Sequence, residues 1–349
     1  MIRIAIIGTG GMANGHANNF KKIPGVKLVA ACDVVDGKAA DFAKRHGIPA
    51  SAVFTEVDKL LKNVEFDAVS VVTTDAGHAP ISLKCVAAGK HVLCEKPLAT
   101  NYADAKKMAD AAKRKGVINM VNFSYRNSSA IHKAAQIVRS GALGRIMHVE
   151  AAYRQSWLAS KAWGDWRDNT SWLWRLSSKH GSMGVLGDIG VHILDFASYA
   201  AGDISSINCL LKTFDKVKGN KFGEYVLDAN DSAVMTVKLA NGAIGTIHTS
   251  RWQTGYANCL ELFIHGDKGA IHINLDKSFS ELEICKGKDV HKRVWKTVKC
   301  GKTPNIYQRF IKSIKTGKND QPDFARGAAI QKVIDACFKS DRRGRFVVI

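Results

Sequence analysis

The stretch Ile2-Arg3-Ile4-Ala5-Ile6-Ile7-Gly8-Thr9-Gly10-Gly11-Met12-Ala13 decides the fold of the first part of this chain. An apolar run typical of a strand leads into a glycine-rich turn, and a helical pattern follows. In the pattern Gly-x-Gly-x-x-Ala, Gly8 permits a tight turn, Gly10 lets the backbone approach a pyrophosphate, and Ala13 permits close packing of helix on strand. N–H groups at the start of such a helix suit phosphate oxygens. The stretch therefore predicts a dinucleotide site that includes residues 8–13.

A carboxylate at the end of the second apolar run supports the same site. Asp33 follows the run at 27–32 and lies 20 residues beyond Ala13, the spacing expected for an acid that binds a ribose diol. Its charge would repel a 2′-phosphate, and Val34, the next residue of the predicted site, offers a phosphate no cation or hydroxyl. We therefore expect NAD as the cofactor, although Lys38 leaves NADP possible.

Apolar runs alternate with helical patterns over the first 120 or so residues, which indicates βαβ units and a parallel sheet with both faces buried. We predict an α/β chain whose N-terminal Rossmann domain spans residues 1–123. The apolar runs span residues 2–7, 27–32, 68–73, 91–94 and 117–123.

From about residue 145 the pattern changes to strands joined by turn residues. Asn241-Gly242 lies between two such strands and is a strong hairpin signal. A helix is predicted at 187–200. Residues 124–349 are therefore predicted to form an α+β domain with a large, mostly antiparallel open sheet, which would bind substrate.

Composition excludes several classes of protein. The 349 residues hold no apolar run long enough to span a bilayer and begin with no leader-like segment, so a cytoplasmic protein without a membrane partner is expected. Eight scattered cysteines without metal-ligand spacing favour reduced thiols and no metal site. The formal charge of +20 is dispersed and accompanies no nucleic-acid module, so no nucleic-acid partner is expected; it fits attraction of acidic small substrates, or adaptation to a particular cytoplasm.

Two later segments carry groups suited to acid–base chemistry, Cys94-Glu95-Lys96-Pro97 and Asp188-Ile189-Gly190-Val191-His192. An alcohol that loses hydride needs a base for its hydroxyl proton, and an imidazole suits that task. We predict Lys96, Asp188 and His192 as catalytic residues, with Lys96 hydrogen-bonding the reacting oxygen. Asp188 would share a helical face with His192 if the helix is regular. A solvated surface lysine and a packing histidine remain the alternatives.

These segments resemble the Gfo/Idh/MocA family of sugar and polyol dehydrogenases. The resemblance rests on Gly8–Ala13, on the string Ala87-Ala88-Gly89-Lys90-His91-Val92-Leu93-Cys94-Glu95-Lys96-Pro97, and on Gly184–Asp195. It implies catalytic roles for Lys96, Asp188 and His192, a place for Glu95 near the nicotinamide ribose, and a cis Lys96–Pro97 bond. It also implies homodimers or homotetramers built through the antiparallel sheet.

The chain departs from the family pattern at three places. Thr73-Thr74-Asp75-Ala76-Gly77-His78 lacks the usual proline, Asn122-Phe123-Ser124-Tyr125-Arg126 replaces G-F-N-x-R, and Ser182-Met183-Gly184 replaces G-G-G. Substrate inference from close relatives is therefore unsafe. The predicted cofactor contacts include residues 8–13, Asp33 and Val34. The others are Thr73, Thr74, His78, Glu95, Lys96 and Asn122.

A stretch rich in tryptophan and arginine precedes the predicted catalytic helix. Indole faces pack on the C–H faces of sugar rings, and guanidinium groups donate to hydroxyls or a carboxylate, so the stretch is predicted to wall a sugar pocket. An interface, or a loop held by aromatic packing, is the alternative. The predicted substrate contacts are Lys96, Arg126, Tyr153, Trp166, Trp172, Arg175, Asp188 and His192.

The expected function is NAD(P)-dependent interconversion of a ring hydroxyl and a ketone in a sugar, inositol or related cyclic polyol. One alternative is a glycosidase that uses tightly bound NAD for transient oxidation and elimination. Another is a non-catalytic sugar or dinucleotide sensor, which would have no need of Lys96, Asp188 and His192 together.

Overall fold

The computed structural model describes the backbone of residues 1–349 and every side chain except those of residues 170 and 171. Contacts divide the chain into two compact units, Met1–Ser124 with Pro304–Gln331, and Tyr125–Thr303 with Lys332–Ile349. The division at residues 123 and 124 stays a prediction of domain organisation. The structure adds that residues 304–331 pack within the first unit, which no local pattern indicates.

The secondary-structure elements are numbered in chain order. The helices are α1 (Gly11–Lys21), α2 (Lys38–His46), α3 (Val57–Asn63), α4 (Asp75–Ala87), α5 (Tyr102–Lys115), α6 (Ser129–Arg139), α7 (Thr170–Leu173), α8 (Val191–Ala201), α9 (Lys288–Lys292), α10 (Ile306–Thr316) and α11 (Phe324–Arg343). The strands are β1 (Ile2–Ile7), β2 (Val26–Cys32), β3 (Val53–Phe54), β4 (Ala68–Val71), β5 (His91–Cys94), β6 (Asn119–Val121), β7 (Ile146–Gln155), β8 (Ile204–Lys212), β9 (Lys221–Phe222), β10 (Tyr225–Val226), β11 (Ser232–Leu239), β12 (Ile244–Ser250), β13 (Asn258–Gly266), β14 (Gly269–Asn274), β15 (Glu281–Lys286), β16 (Lys296–Lys299) and β17 (Val347–Val348).

The sheet of the first unit is parallel and six-stranded, in the order β3-β2-β1-β4-β5-β6. This is the doubly wound Rossmann order, in which ligands bind at the carboxyl ends of the strands where the order reverses. The reversal falls between β1 and β4. The predicted α/β fold with a Rossmann domain is confirmed, and the residues that follow β1, β2, β4 and β5 lie at the edge where a dinucleotide binds.

The sheet of the second unit has nine strands, in the order β16-β15-β14-β13-β7-β12-β11-β8-β17. All its pairs are antiparallel except β7 with β12, so the predicted mostly antiparallel sheet is confirmed. Asn241 and Gly242 form the turn between β11 and β12, where Gly242 has a φ of 90°. Alternate residues of β11 are buried, which leaves one face of that strand open.

The predicted helix at 187–200 is not regular. Residues Leu186–Gly190 form a π-helical segment, and α8 begins only at Val191. Asp188 therefore lies on a wider turn than His192, so the regular helix on which a shared face of these two residues depended is interrupted here. Short π-helical segments are frequently found at functional sites.

No helix in the described part of the chain is both long enough and apolar enough to cross a bilayer. The eight cysteines are unpaired by disulfides, and Cys94, the one next to the predicted site, is fully buried. Burial raises the pKa of the Cys94 thiol, so it stays protonated and unreactive.

Candidate active site

The glycine-rich loop has the shape that a dinucleotide requires. Gly8 has a φ of 85°, and a Cβ built on it would lie 2.5 Å from the carbonyl oxygen of Val72, so only glycine fits. A Cβ on Gly10 or Gly11 would meet no atom within 4 Å. The loop therefore leaves open space at the start of α1, where free N–H groups can bind a pyrophosphate.

Asp33 is anchored to this loop. Its Oδ2 accepts hydrogen bonds from the Thr9 N–H at 2.7 Å and the Thr9 hydroxyl at 2.9 Å, and its Oδ1 accepts one from the Val35 N–H at 3.0 Å. Burial raises the pKa of Asp33, but the hydrogen bonds from Val35 and Thr9 outweigh burial and lower it. The carboxylate is therefore a fixed negative charge at the end of β2, beside the exposed Val34.

A buried polar network fixes the turn after β5. The Glu95 carboxylate accepts hydrogen bonds from His16 Nε2 at 2.8 Å, from the side-chain amide of Asn122, and from the Lys96 N–H at 3.2 Å. The second ring nitrogen of His16 lies 2.7 Å from the hydroxyl of Ser70 on β4. Burial raises the pKa of Glu95, but its hydrogen bond and charge interaction with His16 outweigh burial, and the pKa falls to about 2. The turn that carries Lys96 is thereby tied to α1, the helix of the glycine-rich loop.

His78 holds the next part of the same turn. Its Nδ1 lies 2.7 Å from the carbonyl oxygen of Pro97, and its Nε2 lies 3.2 Å from that of Thr73. The Lys96–Pro97 peptide is cis, as the family resemblance predicts. His78 thus links the loop after β4, where Thr74 precedes α4, to the loop after β5. This position favours a role for His78 in shaping the cofactor edge.

In the second unit, Asp188 lies among arginines. Arg251 donates a hydrogen bond from Nη2 to Asp188 Oδ2 at 2.9 Å, and Arg175 Nε lies 3.7 Å from the same oxygen. Arg251 was not among the predicted site residues. Its identity alone gave no signal, because it follows β12 with no recognisable pattern around it.

His192 packs among tyrosines. The Tyr125 ring meets the His192 ring edge to face at 5.0 Å, and Tyr153 lies 6.4 Å from it between ring centroids. The Tyr125 and Tyr153 hydroxyls are 2.5 Å apart, and Tyr153 donates to Asn258 Oδ1 at 2.7 Å. Burial, the largest effect, raises the pKa of Tyr153 well above its usual value. Tyr153 is therefore a neutral hydrogen-bonding group, and Tyr125 and Asn258 join the candidate site as residues that the sequence did not single out.

Two predicted substrate contacts are buried in other interactions. Arg126 is buried and donates from Nε and Nη2 to both oxygens of Asp195, at 2.6 and 2.7 Å, and its guanidinium stacks over the Tyr199 ring. Trp166 is buried in an apolar cluster with Trp157, while Trp172 packs partly buried against it. These positions favour structural roles for Arg126 and Trp166, and they match the alternative of a loop held by aromatic packing.

The structure therefore assembles the predicted residues as two groups. The first unit holds the residues from the glycine-rich loop, Asp33, Glu95, Asn122 and the turn with Lys96. The second unit holds Asp188, His192, Tyr153 and Arg175. That Lys96 and His192 face one bound substrate stays a prediction.

Family models match most of the chain. A model of an oxidoreductase family with an NAD-binding Rossmann fold matches residues 2–123, and a model of the GFO/IDH/MocA C-terminal domain matches residues 131–272. The predicted Rossmann domain that binds NAD is confirmed.

Several similar proteins are dehydrogenases by name. Levoglucosan dehydrogenase of Pseudarthrobacter phenanthrenivorans is 28% identical over 99% of this chain and 97% of its own length. D-glucoside 3-dehydrogenase of Escherichia coli is 30% identical over 71% of this chain and 70% of its own length. A solved structure of levoglucosan dehydrogenase in complex with NADH and levoglucosan has a TM-score of 0.87 at 26% identity, covering 100% of this chain and 99% of that one.

Proposed function

Because this chain belongs to the Gfo/Idh/MocA oxidoreductase family, we propose that it is an NAD-dependent dehydrogenase that interconverts a ring hydroxyl and a ketone. The substrate class is a sugar or a related cyclic polyol such as an inositol. The relatives named for levoglucosan and for D-glucosides support a sugar ring in particular. The reaction needs a cofactor, a base for the hydroxyl proton and a donor for the reacting oxygen.

The residues of the first unit fit NAD. The open loop at Gly10 and Gly11 would hold the pyrophosphate, and Asp33 would accept hydrogen bonds from the adenosine ribose. Thr73, Thr74 and His78 border the same edge of the sheet. When bound there, NAD supplies the acceptor for the hydride.

The residues of both units share the proton chemistry. His192 accepts the proton of the substrate hydroxyl as its carbon loses hydride. The Lys96 ammonium donates a hydrogen bond to that oxygen and stabilises the negative charge that develops on it. Asp188 accepts a hydrogen bond from a neighbouring hydroxyl, and Arg175 donates to the substrate from the same side.

The observation that carries this proposal is the hydrogen bond between His16 and Glu95. It joins the helix of the glycine-rich loop to the turn that presents Lys96, at a distance of 2.8 Å between buried atoms. The Lys96 N–H bonds to this anchored Glu95 and its side chain is partly buried, which favours a site residue over a solvated surface lysine. Its position directly after β5, at the carboxyl edge of the parallel sheet, supports a role beside the nicotinamide ring of a bound dinucleotide.

The proposal is tested by screening a panel of sugars and cyclic polyols for NADH formation. We expect at least one sugar to give turnover, and Lys96→Ala to lower kcat by about a hundredfold or more while NAD affinity is retained. Lys84→Ala, an exposed lysine on α4, is the matched control and should leave kcat unchanged. Near-wild-type turnover by Lys96→Ala would remove Lys96 from the mechanism.

The same screen separates the alternatives. A glycosidase would release a sugar product while co-purified NAD is regenerated rather than consumed. A sensor would bind a sugar with no turnover in either assay. Either result, reproduced over the whole panel, would contradict the dehydrogenase proposal.

A further inference from the structure

Arg251 is a charged side chain that the proposed mechanism does not use. It directly follows β12, and its side chain is 0% exposed. Its guanidinium donates to Asp188 Oδ2 at 2.9 Å from Nη2 and to the carbonyl oxygen of Arg175 at 3.1 Å from Nη1. The Trp157 ring lies 5.0 Å from its guanidinium carbon. One buried cation therefore contacts two predicted site residues at once.

We propose that Arg251 is a positioning residue that holds Asp188 as a fixed anion and aligns the Arg175 segment with it. The inference rests on the proposed dehydrogenase reaction and identifies a residue that supports this reaction. Asp188 then acts as a hydrogen-bond acceptor for the substrate and not as the proton acceptor, which leaves that task to His192.

A second buried ion pair of the same unit shows what is unusual about the Arg251–Asp188 pair. Lys216 donates to Asp231 at 2.8 Å, and both side chains are 0% exposed, so that pair presents no charge to a ligand. In the Arg251–Asp188 pair, the Arg251 side chain is fully buried but the Asp188 side chain is 22% exposed. Burying a guanidinium is costly unless an anion compensates it. Here the compensating carboxylate keeps a surface on which a ligand can bind.

The double contact of Arg251 explains why arginine is needed. A guanidinium offers several N–H donors in a rigid plane, whereas a lysine ammonium is a single point charge. Only the guanidinium can reach the Asp188 carboxylate and the Arg175 carbonyl together, although 76 residues separate Arg175 from Arg251. The charged or titratable groups around Asp188 include Arg251, Arg175 and Tyr153, with Asp231 close to Arg251 and His192 one turn further along the chain.

The experiment compares Arg251→Lys and Arg251→Met with the wild type, using the sugar that gives turnover. Misplacing a reacting group by a small distance costs as much as a hundredfold in rate, so we expect kcat to fall about tenfold in Arg251→Lys and about a hundredfold in Arg251→Met. The KM for NAD should stay within about twofold. In Arg251→Met the acid limb of the kcat profile should move to higher pH, because the loss of a nearby cation makes both the base His192 and the Asp188 carboxylate easier to protonate.

Arg3→Lys is the matched control. Arg3 also forms a two-pronged pair with an aspartate, Asp67, but at the amino end of β1, at the opposite edge of the sheet from the glycine-rich loop. The Arg3→Lys variant should leave kcat and the pH profile of kcat unchanged. The Arg251→Lys variant keeps the charge and the approximate volume, so it reports on positioning even if Arg251→Met does not fold.

The outcomes separate this inference from the proposed function. If the wild type oxidises no sugar of the panel, the proposed function fails and the inference fails with it. If the wild type is active and folded Arg251→Lys keeps wild-type kcat and pH profile, the inference alone is overturned. A fall in thermal stability without a change in kcat would likewise reduce Arg251 to a structural role.

Discussion

At the scale of one residue, Asp33 both contacts the glycine-rich loop and bears on the choice of cofactor. Its carboxylate accepts the Thr9 N–H and hydroxyl, so its position does not depend on a bound ligand. Because those hydrogen bonds and that of Val35 lower its pKa despite burial, the negative charge persists through mildly acidic pH. A 2′-phosphate placed near it would meet this charge at every pH at which the enzyme is expected to work.

Asp33→Asn tests the choice of NAD over NADP. The amide keeps an acceptor oxygen for Thr9 but removes the charge, and a like-charge contact near a protein surface is worth about 1 to 4 kcal/mol. We expect the ratio of kcat/KM for NAD over NADP to fall by roughly tenfold or more.

Asp36→Asn removes an exposed charge three residues away and serves as the control. It should leave the cofactor ratio unchanged. Comparable kcat/KM of the wild type with both cofactors would show that the discrimination argument is wrong.

At the scale of elements, the His16–Glu95 contact joins α1 to the end of β5, and Asn122 adds the end of β6. The native pKa of Glu95 is about 2, against an ordinary value of 4.5. A carboxyl group whose pKa is lower in the folded than in the unfolded state stabilises the fold fully at pH values above its unfolded-state pKa. This stabilisation is lost as pH falls through the folded-state pKa. The stabilisation is on the order of 3 kcal/mol near neutral pH.

Glu95→Gln should therefore destabilise the protein more at about pH 6 than at about pH 3. We expect the difference in the free energy of unfolding between wild type and variant to shrink by about 2 kcal/mol over this interval, measured by urea unfolding. Glu224→Gln, at an exposed glutamate, should give a small and constant difference. A Glu95→Gln difference that does not change with pH would contradict a buried, ionised Glu95.

At the scale of the whole molecule, the nine-stranded sheet leaves apolar side chains exposed on one face. Leu210 on β8 and Val234 on β11 are directly paired across the strands and are 66% and 56% exposed. Ile244 on β12, opposite Lys238, is on the same face and is 55% exposed. The adjacent exposed pair Leu210 and Val234, with Ile244 further along the same face, favours an association surface. This supports the homodimer or homotetramer that the family resemblance implies.

Sedimentation should therefore give a mass at least twice the 38.0 kDa of one chain. The double variant Leu210→Glu with Val234→Glu should shift the protein to a single chain, because charges placed opposite each other in an interface repel.

Val290→Glu, on α9 beyond the other end of the sheet, is the control for adding a surface charge and should leave the mass unchanged. A wild-type mass of one chain would contradict association through this face.

The sequence by itself determined the features that depend on local conformation and spacing. At position 8, glycine is the only residue type that fits a φ of 85° so close to Val72. The Asn241-Gly242 pair predicts a hairpin turn, and it forms the turn between β11 and β12. The continuous apolar runs give a parallel sheet in the Rossmann order, and the turn-linked strands give a mostly antiparallel sheet. Such features follow from a few neighbouring residues, so they can be predicted without the fold.

Only the tertiary structure decided which charges meet. His16 and Glu95 are 79 residues apart, Arg126 and Asp195 are 69 apart, and Asp188 and Arg251 are 63 apart. Comparison of the sequence with the family pattern pointed to Arg126 as a substrate contact and did not identify Arg251. Buried ions must be paired by whatever opposite charge packing brings within reach, and that depends on the arrangement of strands and helices distant in sequence rather than on any local pattern.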